Sequence, residues 1–139
     1  MAALRRLGEA NGGGLMGVIT GALAEYQSLG HVTAADAGRI MACFEAFEKA
    51  GGGTQAARES ASSVLHDLYA QAVADPYSTP FALQVLSVAA SGGTRMVDDP
   101  SAAEIGAADA VGMFFLGGVA SCVAASYVAA HLDVHVTYS

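Results

Sequence analysis

The sequence predicts a mainly α-helical fold, a bundle of about five helices whose last helix is long and Gly/Ala-rich, followed by a short C-terminal β-strand. Three observations carry this. Apolar residues recur at helical spacing through most of the chain. Gly, Pro and Thr punctuate it where helices would start and stop. Only the residues from His131 onward alternate with the period of a strand.

The elements follow in order. A short helical turn, Ala2 to Glu9, precedes a break at Asn11 and the following glycines. The first long helix spans about Gly14 to Leu29, with Leu15, Ile19, Ala22, Leu23 and Tyr26 on one face and Gly30 as a left-handed stop. Thr33 caps the next helix, with Asp36 as an acidic capping-box partner. Its inner face is Ala37, Ile40, Met41, Phe44 and Phe47, while Arg39, Glu45, Glu48 and Lys49 face out. Glu45 and Lys49 stand four apart in the favourable order. Glycines 51 to 53 end it.

Thr54 caps a third helix that reaches Ala74, where Asp75-Pro76 stops it. Its inner face is Ala57, Ala61, Val64, Leu65, Leu68 and Ala72. Thr79-Pro80 opens a short fourth helix, proline sitting where its missing N–H costs nothing. It closes after Ala90 at Ser91-Gly92-Gly93. Apolar residues cover most of its circumference, which marks a buried helix. Ser101 and Glu104 make a capping box after Pro100, opening a fifth helix that extends to about Ala130, with a bend at Gly117-Gly118.

Within that helix, Ala110 to Ala130 is a run of 21 residues without a charge. It reaches the roughly 20 apolar residues of a membrane span, but its apolar character is largely alanine and glycine. Two small-residue ridges run along it: Gly117, Ser121, Ala125 and Ala129, and Gly118, Cys122, Ser126 and Ala130. Such ridges let another helix approach closely. At the end, Leu132, Val134, Val136 and Tyr138 alternate with polar residues. A lone strand needs a partner, supplied by Thr94 to Val97 in a β-α-β unit or by another copy.

Composition narrows the function classes. The 139 residues suit a single domain, residues 1–139, of 53% hydrophobic and 14% charged residues. An ordinary soluble domain carries about 25% charged residues, so part of this surface is expected to be covered. The net charge of −7 rests on six basic residues that form no stripe, which excludes direct nucleic-acid binding through a basic patch. Cys43 and Cys122 lie far apart in apolar helical patterns and read as buried thiols. Arg5 and Arg6 before Leu15 to Ala24 imitate a signal peptide, but Glu9 and three glycines interrupt it. No cleaved leader is expected, which places the chain in the cytoplasm or within an assembled particle.

Candidate chemistry is sparse. His131, Asp133 and His135 share one strand face and could hold a metal such as zinc, but same-face neighbours lie nearly 7 Å apart, and the simpler reading is a solvated polar face. His66, Asp67, Ser62 and Ser63 on one helix do not point as a Ser-His-Asp triad requires. Asp98, Asp99, Glu104 and Asp109 gather near a helix N-terminus, where the macrodipole favours them. No cofactor is implied.

The favoured reading is a non-enzymatic structural subunit of a coat, shell or filament. It would associate with copies of itself through Gly117, Gly118, Ser121, Cys122 and Ala125 and through Val134, Val136 and Tyr138. The alternatives are a small integral membrane protein with a span near 110–130, and a helical ligand-binding or enzyme domain.

Overall fold

The computed structural model describes residues 14–51 and 53–117, and these are mainly helical. Five α-helices follow one another: α1 (Gly14–Ser28), α2 (Ala34–Ala50), α3 (Gln55–Ala74), α4 (Pro80–Met96) and α5 (Ser101–Gly112). The last runs directly into a π-helical turn, Met113–Gly117. There is no strand among the described residues. The expected C-terminal strand, the helix beyond Gly117 and the N-terminal turn lie outside them.

Local chemistry sets most helix ends. α1 stops at Gly30, whose φ of +79° suits a residue without a β-carbon. There His31 N–H donates to the Tyr26 carbonyl and Gly30 N–H to that of Gln27, at 2.9 and 3.1 Å, a Schellman closure. α2 opens with the expected capping box, Thr33 and Asp36 exchanging two 3.0 Å bonds. Thr54 and Thr79 cap α3 and α4 in the same way, accepting from Ala57 and Ala82 N–H.

α4 lies at the centre, against α3, α5, α2 and the π turn. It corrects the expectation of a short helix. Instead of closing at Ser91-Gly92-Gly93 it runs on to Met96, so Thr94 to Val97 is not a strand and cannot partner the tail. The physical reason is tertiary. A β-carbon on Gly92 would stand 2.9 Å from Gly106 Cα in α5, and one on Gly93 would stand 3.0 Å from Leu65 Cδ1 in α3. The two glycines thus let α4 sit hard against a neighbour on each side. Each costs about 1 kcal/mol of helix propensity, offset by dispersion contacts between the close backbones.

The end of α4 is held from α3. The buried guanidinium of Arg58 donates from Nε to the Met96 carbonyl at 2.9 Å and from a terminal nitrogen to the Gly53 carbonyl at 3.0 Å. It thereby satisfies one of the carbonyls a helix C-terminus leaves open.

Three further expectations are corrected. The Ser101/Glu104 box does not form, because Ser101 is already the first helical residue, after Pro100. The preceding Asp99 takes over, its carboxylate accepting from Ser101 N–H at 3.0 Å and Ser101 Oγ at 2.7 Å. Val64 is not on the inner face but 42% exposed. Arg39 does not face out; it turns into a polar junction described below.

The core closes over an aromatic cluster. Phe114, fully buried in the π turn, packs edge-on against Tyr26, Phe44 and Phe115 and stacks on Phe81. Burying a ring of this size contributes about 2 kcal/mol. The Tyr26 hydroxyl also reaches the Phe114 carbonyl at 3.4 Å, tying α1 to the π turn.

The close crossing makes opposite predictions for two helical glycines. Gly92→Ala should destabilise by about 1–3 kcal/mol through overpacking. Gly38→Ala, with nothing within 4 Å of its new β-carbon, should stabilise by about 0.5–1 kcal/mol. Urea unfolding followed by circular dichroism measures both; equal stability of the two variants would remove the crossing.

Candidate functional site

Among the described residues, a partly buried polar junction of Asp36, Arg39 and Asp75 joins the start of α2, the end of α3 and the start of α4. Asp36, with no exposed surface, accepts from Thr33 N–H at 3.0 Å and Thr79 N–H at 3.2 Å through one oxygen. Arg39 donates to its other oxygen at 3.5 Å, to Asp75 Oδ2 at 2.9 Å and to Ser78 Oγ at 3.4 Å. Ser78 Oγ in turn donates to the Ala72 carbonyl at 2.6 Å, near the end of α3. Hydrogen bonds from Tyr77 N–H and from Arg39 hold the Asp75 carboxyl below the usual carboxylate range. Every member bonds within the junction, so it clamps three helix ends together.

Most other reactive side chains are engaged within the fold, while the buried Nε2 of His31, whose ring stands edge-on to Tyr26, has no hydrogen-bond partner among the described residues. Cys43 is a fully buried free thiol, and burial pushes it up to about 12. Burial thus disfavours the thiolate, the nucleophilic form. His66 is exposed and meets Thr94 Oγ1 at 2.8 Å across α3 and α4, away from any triad with Ser62 and Asp67. Ser62 is buried beneath Gly93. Asp109 pairs with Arg95 at 3.7 Å, both more than half exposed, and Asp99 is held below its ordinary range by its bonds to Ser101. No group of three His, Cys, Asp or Glu among the described residues could hold a metal.

Of the residues expected to bear the function, His131, Asp133 and His135 lie outside the described residues. So do Gly118, Ser121, Cys122, Ala125, Val134, Val136 and Tyr138. Gly117 is described, and it packs inward: a β-carbon there would meet Met113 Sδ at 3.2 Å and the Phe81 ring at 3.3 Å. The described start of the uncharged stretch, Ala110 to Gly117, passes from α-helix into the π turn. No described helix is long and apolar enough to cross a membrane.

Two apolar features stand out on the surface. Between α1, α2 and α5 a groove of about 430 Å³ is walled by Met16, Ile19, Phe44, Phe47 and Val111, with Glu48 at its rim. Along α4 two shallow grooves share Val88 and Met113 and so form one mostly apolar band, from Tyr69 and Leu83 to Leu116, interrupted by Gln84, Ser87 and Asp109. Leu116 is 75% exposed. The band is not legible in the sequence because its residues come from four elements, α3, α4, α5 and the π turn. Its one visible signal is the apolar circumference of α4.

Comparison with known protein families, with characterised proteins and with solved structures finds no match to this chain.

The junction carries its own predictions. Asp36→Ala removes a cap and leaves Thr79 N–H and Arg39 short of an acceptor, and should cost about 2–4 kcal/mol in urea unfolding. Asp75, its folded pKa lowered, adds stability that is complete above the ordinary aspartate value of about 4 and is lost as pH falls through the folded value. Asp75→Asn should therefore flatten the acid loss of stability; an unchanged pH profile would contradict the pairing.

Proposed function

We propose that this chain is a non-enzymatic helical building block that associates with copies of itself, in the manner of a coat, shell or filament subunit. The observation that carries the reading is the mostly apolar band from Tyr69 through Val88 and Met113 to the exposed Leu116, with Gln84, Ser87 and Asp109 along it. Isolated exposed apolar residues are ordinary, whereas contiguous apolar surface marks a contact with another molecule. A charged fraction of only 14% supports the same reading, since such a chain has few charges with which to solvate a free monomer.

A second reading, a helical ligand-binding domain, is favoured by the groove between α1, α2 and α5. Its volume of about 430 Å³ falls in the range of small-molecule pockets, and its walls suit an apolar ligand. The first reading takes precedence because it also accounts for the low charged fraction of 14%.

Light scattering behind size exclusion, without detergent, tests this. The expected result is a discrete mass several times 13.9 kDa, lowered by Leu116→Glu at unchanged helical content. A clean monomer would contradict self-association, and protein recovered only in detergent would favour a membrane span.

A further inference from the structure

We propose that the groove between α2 and α3 is a contact between two copies of this chain, related by a two-fold axis. The proposal rests on the self-association reading and gives it a specific surface, separate from the band along α4.

The groove, of about 370 Å³, is faced by residues at helical stripe spacing on both sides. Its floor is alanine: Ala42 and Ala46 from α2, Ala57 and Ala61 from α3. Short side chains let a second helix surface come near, and the exposed Val64 at one end offers apolar area to it. Glu45 and Lys49 rise from α2 beside this floor, both exposed.

The charges argue for the occupant. The chain carries a net charge of −7, so copies repel one another unless the contact is locally balanced. The described basic residues are nearly all engaged. Arg39 pairs with Asp36 and Asp75, Arg95 pairs with Asp109, and Arg58 is buried against carbonyls. Lys49 is the one basic side chain among the described residues with neither ion pair nor side-chain hydrogen bond. Its place in the last turn of α2 suits the macrodipole yet leaves its ammonium free to bond outward. Glu45, one turn earlier, is likewise unpaired among the described residues.

A two-fold axis brings a surface against itself. With the two α2 helices antiparallel, Glu45 faces the partner's Lys49, and Lys49 faces the partner's Glu45. The pair is thus self-complementary, and two ion pairs form from one copy's worth of charges each. An assembly larger than a dimer needs a second kind of contact as well, which the α4 band supplies.

The test is charge reversal with mixing, read as mass against concentration by light scattering. Glu45→Lys alone and Lys49→Glu alone each set like charges together twice, and should weaken self-association at least about tenfold. Mixed in equal amounts, the two variants present opposite charges at both contacts and should recover the wild-type mass. Pairing within one helix cannot produce that recovery. Circular dichroism confirms that both variants fold. If both single variants keep the wild-type mass, the groove is not an interface although self-association stands. If the mixture fails to recover, the loss has another cause and the two-fold pairing is wrong. If the wild type is itself monomeric, this proposal and the reading beneath it fall together.

Discussion

At Gly92 and Gly106 the backbones of α4 and α5 lie so near that a β-carbon on the first would stand 2.9 Å from the Cα of the second. One residue on, Gly93 gives α3 the same access through Leu65 and Ser62. The rest of the bundle depends on this spacing. With α4 held close on both sides, Met96 comes within reach of Arg58, and Phe81 comes under the Phe114 ring. Tyr26 and Phe44 then close the aromatic cluster from α1 and α2. A bulkier crossing would move α5 outward and open the site where Phe114 is buried.

The polar groups serve the same end. Asp36 binds the first N–H groups of two helices at once, those of Thr33 and Thr79, and Arg39 adds the end of α3 through Asp75. Three chain ends are thereby fixed by one buried carboxylate and one guanidinium. The cost of desolvating these charges is met by placing every one of them in a hydrogen bond. Cys43 is sealed in the core, and the junction's charges are turned to holding helix ends together.

The sequence disclosed the features that are local. Thr33 with Asp36, Thr54, and Thr79 with Pro80 each mark a helix start within four residues, and Gly30 marks a stop by its backbone conformation. What depended on distant partners was illegible. Gly92 and Gly93 look like a helix end until Gly106 and Leu65 are known to lie against them. Arg39 looks solvated because Asp75 is 36 residues away. Ser101 and Glu104 have the spacing of a capping box, yet Asp99 captures Ser101 first. The contact surfaces were read in the small-residue ridges beyond Gly117, outside the described residues. The one member described, Gly117, spends its small size on Phe81 and Met113 within its own chain. Among the described residues, close helix approach is instead found at Gly92, Gly93 and Gly106.

The continuity of α4 through its glycines is the claim that everything else presupposes, and native-state hydrogen exchange reads it residue by residue. The amides from Gly92 to Met96 should exchange as slowly as those of the buried Val85 and Leu86, opening only with the whole bundle. Rapid exchange beginning immediately after Ala90 would show a helix that stops at Ser91, and would dissolve the crossing on which this account is built.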